Sequence, residues 1–250
     1  MVDFHTHIIY EMDDGAHDLE TSLALIDSLE KQGVRNIVLT PHYYFELSMS
    51  DNFLRQRDQR IEVLRREIAG RDINLYAAAE VRLTTHTNLD LLPGLVVENT
   101  RYILVELPYE TEIKSALLAK LDQLIDYYGL VPIIAHPERY VYCKQNPEIL
   151  KYFIMQGCLL QVNLSSLFQS QHKQLACAMI QKGYAHVIGT DCHNMDTRPP
   201  LYEQGIKRIA NYFGKDVVTK LARNMDKLIK NQSLTVPIVD PLRKILWRYR

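Results

Sequence analysis

The chain has 250 residues, 47% of them hydrophobic, and its 29 Lys and Arg almost balance 30 Asp and Glu, for a formal net charge of −1. That balance gives no electrostatic footprint for nucleic acid or an anionic membrane, no basic stretch with an apolar segment behind it opens the chain, and no apolar run approaches the ~18 residues of a membrane span. The length and even composition predict one large core and a single domain over residues 1–250, while Cys143, Cys158, Cys177 and Cys192 have neither Cys-x-x-Cys spacing nor the density of a disulfide scaffold, as expected of a reducing cytoplasm.

Strand and helix signals alternate from the first residues onward. Val2 to Phe4 reads as a strand. Asp18 to Gln32 sets Leu19, Leu23, Ile26 and Leu29 on one helical face, Gly33 supplies the stop, and Val34 to Thr40 follows as a strand. Asp51 to Ala69 repeats the grammar with Phe53, Leu54, Ile61, Leu64 and Ile68, ends at Gly70, and leads into the strand Ile73 to Ala79. Tyr102 to Glu106 and Val131 to Ala135 are further strands. Asn146 is an N-cap with Pro147 at the first helical position, Gly157 closes that helix, and Cys158 to Asn163 is a strand. Gln171 to Lys182 is a helix stopped by Gly183 before the strand Ala185 to Thr190. About seven strands separated by helices predict an α/β fold with a parallel sheet or barrel. From about residue 231, Ser233, Thr235, Pro237 and Pro241 and then Lys244-Ile245-Leu246-Trp247 predict a tail packed outside the barrel or against a neighbouring subunit. This tail and the first helix are the segments on offer for homo-oligomer contacts, which nothing in the sequence requires.

Imidazoles and carboxylates gather where these strands end. His5 and His7 close the first, with Asp14 soon after; His42 follows the second, Glu80 the third, Glu106 the fourth, His136 the fifth, and Asp191 with His193 the last. Each alone has a plain alternative as a polar turn residue. Side chains two apart on a strand face the same way, so His5 and His7 can hold one ion together. Glu80 and Glu106 end nearly apolar runs, where an unpaired carboxylate is costly unless a cation meets it. An open sheet collects ligands at one switch point, whereas a barrel brings all strand ends round one pocket, so ligands after so many strands favour a barrel with its metal site at the carboxyl ends of the strands. Mixed imidazole and carboxylate donors suit zinc, iron or manganese in a catalytic role, and nine donors exceed the needs of one ion. Two or three ions that acidify a water and polarise a phosphoryl oxygen make phosphoester hydrolysis the natural chemistry.

The ordered motifs Asp3-Phe4-His5-Thr6-His7, Asp13-Asp14-Gly15-Ala16, Thr40-Pro41-His42, Glu80-Val81-Arg82, His136-Pro137-Glu138-Arg139-Tyr140 and Asp191-Cys192-His193-Asn194 to Arg198-Pro199-Pro200 resemble the polymerase and histidinol phosphatase (PHP) superfamily. More narrowly, they resemble its bacterial capsule and exopolysaccharide branch of manganese-dependent protein-tyrosine phosphatases, from residue 3 to about residue 200. The resemblance implies a distorted (β/α)7 barrel and three divalent ions, manganese first with iron or zinc as alternatives. It implies His5, His7, Glu80 and Asp191 on the first ion, Glu80, Glu106 and His136 on the second, and Asp14, His42 and His193 on the third. It also implies Arg139 and Arg198 as phosphate-binding catalytic residues, a hydroxide on the metals as nucleophile, and an autophosphorylated bacterial tyrosine kinase as the phosphotyrosine substrate, with no nucleic-acid partner.

Plain alternatives stand beside these readings. Arg139 has a possible ion pair with Glu138 or Glu148, and Arg198 sits in a loop before Pro199-Pro200. Cys192 and Arg198 satisfy Cys-x5-Arg, the spacing of thiolate phosphatases, but no glycine eases that loop and Asp191 opposes a thiolate. Tyr43-Tyr44-Phe45-Glu46-Leu47 is more aromatic and acidic than the branch pattern; its rings could meet a phosphotyrosine ring or simply pack the loop. His17, His86, His172 and His186 match no ligand position and read as surface or packing residues. The competing functions are another PHP activity, on histidinol phosphate or as a nuclease, and a noncatalytic metal-binding regulator.

Overall fold

The computed structural model describes residues 1–46, 50–236, 239–245 and 248–249. Its first half runs β1 (Val2–Thr6), α1 (Leu19–Lys31), β2 (Asn36–Leu39), β3 (His42–Tyr43), α2 (Ser50–Glu67), β4 (Asn74–Ala77), β5 (Glu80–Arg82), β6 (Tyr102–Glu106) and α3 (Ser115–Asp126). The second half runs β7 (Val131–Ile134), α4 (Val141–Gln145), α5 (Glu148–Met155), β8 (Leu159–Asn163), α6 (Ser170–Gln181), β9 (Val187–Gly189), α7 (Tyr202–Phe213) and α8 (Lys215–Leu228), followed by β10 (Lys244–Ile245) and β11 (Arg248–Tyr249).

Strand pairing is parallel throughout the two larger sheets. One sheet has the order β1-β2-β4; the other, β3-β5-β6-β7-β8-β9, curls into a TIM-like half-barrel. The sheets part company inside two extended segments. Only Thr40-Pro41 separates β2 from β3, and only Ala78-Ala79 separates β4 from β5. Pro41 has no N–H to give a ladder. Hydrogen bonds nevertheless cross the gap, from Ala78 N to Leu39 O at 3.0 Å and from Glu80 N to Pro41 O at 3.0 Å. At the other side β1 meets the chain leaving β9: Asp191 N donates to His5 O at 2.8 Å and His7 N to Cys192 O at 2.9 Å.

Strands covered on both faces are expected to be apolar throughout, and every residue of β1, β6 and β8 is buried. The polar intrusions in these strands therefore mark what the fold positions: Asp3 and His5 in β1, Glu106 in β6, Gln161 and Asn163 in β8. The apolar core extends from Val2 to Leu242.

Boundaries differ from the sequence expectation by a residue or two, with one informative exception in α1. Its buried stripe is Ser22, Leu25, Ile26 and Leu29, while Leu19 and Leu23 are only partly covered. Ser22 fits the core side because its hydroxyl donates to Ile8 O at 2.6 Å. The Asp18 cap behaves as expected, accepting from Thr21 N at 2.7 Å. The described part of the tail crosses the amino-terminal ends of the strands, where Tyr102, which opens β6, donates its hydroxyl to Gln232 O at 2.7 Å and Tyr184, before β9, donates to Asp240 O at 2.6 Å; Tyr249 reaches the helical side, donating to Lys144 O at 3.1 Å. Pro237, Leu246 and Trp247 fall outside the described residues. Among the described residues no helix is long and apolar enough to cross a membrane.

His186, before β9, is built into the fold in its neutral form. It is 4% exposed, and its Nδ1 accepts from Leu160 N at 3.0 Å, so a proton on Nδ1 would set two donors against each other. Burial, and then the charge of Lys220, push its pKa from 6.5 down to about 4. The unfolded chain then binds a proton below about 6.5 that the folded chain refuses until about 4, so stability falls as pH drops through that window, by at most on the order of 3 kcal/mol. Urea unfolding at pH 7 and pH 4.5 should show a smaller acid loss for His186→Asn than for the parent; equal losses would contradict this account.

Candidate metal centre

All nine donor side chains named from the sequence meet at one end of the half-barrel. Alternation along β1 and the residue beyond it turns His5 and His7 to one side, and their Nε2 atoms lie 3.1 Å apart. Glu80 opens β5 and Glu106 closes β6, strands paired in register as Arg82 with Glu106. His136 and Asp191 follow the ends of β7 and β9 in left-handed backbone, at φ 33° and 55°. For residues other than glycine this costs about 1–2 kcal/mol each, strain that tends to be kept where a side chain must point one way.

Glu80 is the hub. Its Oε2 lies 3.2 Å from His5 Nε2, 3.3 Å from His7 Nε2 and 3.1 Å from His42 Nδ1, while its Oε1 lies 2.9 Å from His136 Nε2. Glu106 stands 3.9 Å from His136. On the outer side, His193 Nε2 and His42 Nε2 approach Asp14 Oδ1 at 3.3 and 3.6 Å. Three donor sets have ligand atoms within 4.8 Å of one another: His7, Asp14, His42 and His193; His5, His7 and Glu80; and His42, Glu80 and Glu106. These differ from the sets implied by the resemblance in placing His7 and His42 between sets and in leaving His136 and Asp191 at the margins.

Asp191 has two faces. Its Oδ1 lies 3.5 Å from His5, 3.3 Å from His7 and 3.7 Å from His193, whereas Oδ2 accepts from Arg139 at 2.8 Å, Arg198 at 2.8 Å and Asn163 at 2.7 Å. Arg139 thus pairs with Asp191 in place of Glu138 or Glu148; Glu138 instead accepts from Asn163 N, and Glu148 faces Arg243. Burial raises the Asp191 carboxyl, but His5 and Arg139 outweigh it and hold the group well below its ordinary range. Glu80 follows the same balance, with His5 the strongest counterweight to burial. Glu106 goes the other way, raised by burial and then by the charge of Glu80.

Several residues that shape the site were not assigned from the sequence. Asp13 accepts from His7 Nδ1 at 2.7 Å and His42 N at 2.8 Å. Gln161 Oε1 faces His5 Nδ1 at 3.2 Å and accepts from His136 N at 3.0 Å, and its Nε2 donates to Asn163 at 2.6 Å. The Tyr109 hydroxyl lies 3.4 Å from His136 Nδ1 at the exposed rim. The signal for Gln161 and Asn163 was present, since they are the polar pair in an otherwise apolar strand. Two glycines allow close approach: a Cβ on Gly189 would come 2.5 Å from His5 Cβ, and one on Gly15 would collide with the His7 carbonyl oxygen.

These contacts permit a test of whether the donors fit metal. His5, His7 and His193 each have Nδ1 beside an acceptor, Gln161, Asp13 and the Asp191 carbonyl respectively, which leaves Nε2 as the free lone pair. That is the arrangement of metal-binding imidazoles, oriented by an acceptor behind the ring. Three buried atoms at the centre, Glu80 Oε2, His42 Nδ1 and His193 Nε2, make no well-directed hydrogen bond, although Glu80 Oε2 and His42 Nδ1 are 3.1 Å apart and His193 Nε2 is 3.3 Å from Asp14 Oδ1. Buried polar atoms are rarely left so, and divalent cations fit what is missing. Cys192 fits no nucleophilic role: it is fully buried, and burial followed by the nearby Asp3 charge pushes its thiol up to about 12. Tyr43 packs edge-on against Phe53, and Phe45 also joins the core, while Tyr44 lies over His42 with Arg82 across its ring. His17 and His86 are exposed, and His172 is half-buried.

An α/β fold that gathers imidazoles and carboxylates at its strand ends, with two guanidiniums at their edge, is built on the plan of metal-dependent hydrolases. The chain belongs to the CpsB/CapC family of capsular polysaccharide synthesis, whose model matches residues 1–230. It is 32% identical over 249 residues to the tyrosine-protein phosphatase CpsB of Streptococcus agalactiae, spanning 92% of this chain and 99% of that protein. It is 27% identical over 255 residues to the tyrosine-protein phosphatase YwqE of Bacillus subtilis, spanning 98% and 97%. Among solved structures, one from work on YwqE of Bacillus subtilis and CpsB of Streptococcus pneumoniae, described as unique metal-dependent tyrosine phosphatases, superposes with a TM-score of 0.86 at 27% identity, covering 98% of this chain and 100% of that one. A lactonase of Listeria monocytogenes shares the fold alone, with a TM-score of 0.61 at 9% identity over 93% and 95% of the two chains.

Removing the acceptor behind His5 should loosen the centre without touching a donor. Gln161→Met is expected to weaken divalent-ion affinity about 10–100-fold, measured by competition with a chelating dye, with the circular dichroism spectrum retained; unchanged affinity would contradict the assignment. Cys192→Ser should keep metal-dependent phosphatase activity within about twofold of the parent, since the buried thiol takes no part. Complete loss in a folded variant would point to a thiolate instead.

Proposed function

We propose that the chain is a metal-dependent protein-tyrosine phosphatase, a single (β/α)7 domain of PHP type. Counting the interrupted segments 36–43 and 74–82 as one strand each supports a seven-membered ring, and the Thr6–Cys192 bridge supports its closure. The observation that carries the reading is the buried Glu80 carboxylate among four imidazoles, with its Oε2 making no well-directed hydrogen bond. His5, His7, Glu80 and Asp191 would hold one ion, Glu80, Glu106 and His136 a second, and Asp14, His42 and His193 a third. Manganese is the proposed metal, with iron and zinc suited to the same donors. Divalent ions there supply Lewis acidity, bringing the pKa of a water toward neutrality and polarising the phosphoryl group.

The chain's own residues account for substrate binding. The carboxylates of Asp13, Asp14, Glu80 and Asp191 lie among the imidazoles, so in the protein alone a phosphate dianion meets negative as well as positive charge. Cations held among these donors would tip that balance toward attraction. Each guanidinium has five N–H donors. Arg139 and Arg198 commit only part of theirs to Asp191, and some of the others would grip phosphoryl oxygens and hold the charge that develops on them. Burial would lower the affinity of the Arg139 guanidinium for its proton, but the Asp191 and Glu138 charges outweigh it, so it remains a permanent cation. Tyr109, 45% exposed, sets a ring at the rim beside His136 where an aryl leaving group would pass. The CpsB and YwqE relatives support phosphotyrosine as the substrate group. The family's place in capsule synthesis supports an autophosphorylated tyrosine kinase of that process as the protein substrate. Four unpaired cysteines suit a cytoplasmic location.

With manganese, a phosphotyrosine peptide should be turned over and the activity abolished by a chelator, while histidinol phosphate and single-stranded DNA are poor substrates. Preference for either of the latter would overturn the substrate assignment. Arg139→Lys and Arg198→Lys should each lower kcat/KM for the peptide about 10²-fold with metal content unchanged; a loss of bound metal in step with activity would instead make these arginines supports of Asp191.

A further inference from the structure

The two faces of Asp191 divide the neighbourhood of the centre, and the side away from the imidazoles holds a cavity of about 160 Å³. Arg139, Arg198 and Asp191, joined to one another by ion pairs, line it together with Phe168, Gln169 and Thr197 among others. Its charge is one-sided. Asp191 is the only carboxylate in the lining, and its Oδ2 is already taken by Arg139, Arg198 and Asn163. Asp14, outside the lining, has its Oδ2 3.7 Å from Arg198 Nη1, but within the lining the two guanidiniums meet no carboxylate besides Asp191, and each keeps spare donors. The apolar part is held rather than buried: Phe168 is 38% exposed, and the Arg208 guanidinium lies 4.1 Å from its ring centroid while donating to Leu167 O at 2.8 Å.

We infer that this cavity is a subsite for a carboxylate side chain of the substrate, Asp or Glu, flanking the phosphotyrosine. The inference rests on the phosphatase reading. Its lining includes residues of the centre itself, so a group in the cavity and a phosphoryl group at the centre are close neighbours on one peptide. A carboxylate presents two oxygens matched to the guanidinium fork, and the aliphatic stem of Glu suits the exposed Phe168 ring. The larger cavity of about 260 Å³ that includes Arg82 and Lys114 differs in holding carboxylates beside its cations: Glu110 pairs with Lys114 at 3.2 Å, and Glu46 and Glu112 also line it. Acidic recognition is thereby assigned to the arginine side and not to the Arg82 side.

The manganese-loaded protein would be assayed on phosphotyrosine peptides in which each of the two residues on either side of the phosphotyrosine is Glu or, in the matched peptide, Gln. At one position Glu should raise kcat/KM about fivefold, mainly through KM, as one partly exposed ion pair allows. Gln169→Glu, which puts a negative charge in the lining at a helix N-cap that tolerates it, should bring the Glu-to-Gln ratio to about one or below. Because the readout is a ratio between two peptides, a change in overall activity does not affect it. Equal turnover of all peptides by the parent, or a preference undiminished in Gln169→Glu, overturns the subsite while leaving the phosphatase reading intact. Failure to turn over any of the peptides overturns the phosphatase reading and the subsite with it.

Discussion

A carboxylate with no solvent around it, facing four imidazoles, is the constraint from which the rest of this structure can be understood. Glu80 opens a strand that sits where the chain has just been interrupted at Ala78-Ala79, opposite the matching interruption at Thr40-Pro41. The hydrogen bond from Glu80 N to Pro41 O fixes its backbone against the segment that carries His42. Desolvating such a group costs several kcal/mol unless opposite charge surrounds it. His5 and His7 supply part of that, but two atoms at the hub, Glu80 Oε2 and His42 Nδ1, still make no well-directed hydrogen bond. The fold gathers the donors, and the proposed cations would complete the electrostatics.

Around this hub the positioning is done by neutral or acidic groups behind the rings. Gln161 behind His5, Asp13 behind His7 and the Asp191 carbonyl behind His193 each fix which ring nitrogen remains free. Asp191 then joins the imidazole cluster to the arginines, one oxygen to each. The same carboxylate that lies against the imidazoles also aligns Arg139 and Arg198, so on the proposed reading metal binding and anion binding would be coupled through one side chain. Backbone strain at His136 and Asp191 and the absence of a Cβ at Gly189 are what this close convergence requires.

Much of the site was legible in the sequence because parallel strands covered on both faces must be apolar, so that Glu80, Glu106 and His136 stood out at their ends. Gln161 and Asn163 stood in the same kind of run but are neutral, and nothing in their chemistry separates a buried support from an ordinary core amide. Asp13 adjoins Asp14, and spacing alone could not say which would reach outward and which would turn under His7. The partner of Arg139 was hidden for a different reason: the nearby acids Glu138 and Glu148 were the local choice, whereas Asp191 is brought to it only by the fold. The short strands β3 and β5 were not anticipated, because the expected strands Val34 to Thr40 and Ile73 to Ala79 end where the apolar run meets Pro41 and Glu80, and pairing beyond those breaks is decided by the neighbouring strands. In α1, the core side was misjudged by the width of one stripe because Ser22 satisfies its hydroxyl on Ile8.

The central claim, that Glu80 is the shared anchor of a multi-ion centre, is tested most directly by counting bound metal. Elemental analysis of the purified protein reconstituted with manganese, and of a folded Glu80→Gln variant treated alike, isolates the loss of one carboxylate charge at nearly constant shape. The account predicts more than one ion per chain in the parent and loss of more than one in the variant. A parent that binds no divalent ion, or a variant that keeps its full complement, would contradict it.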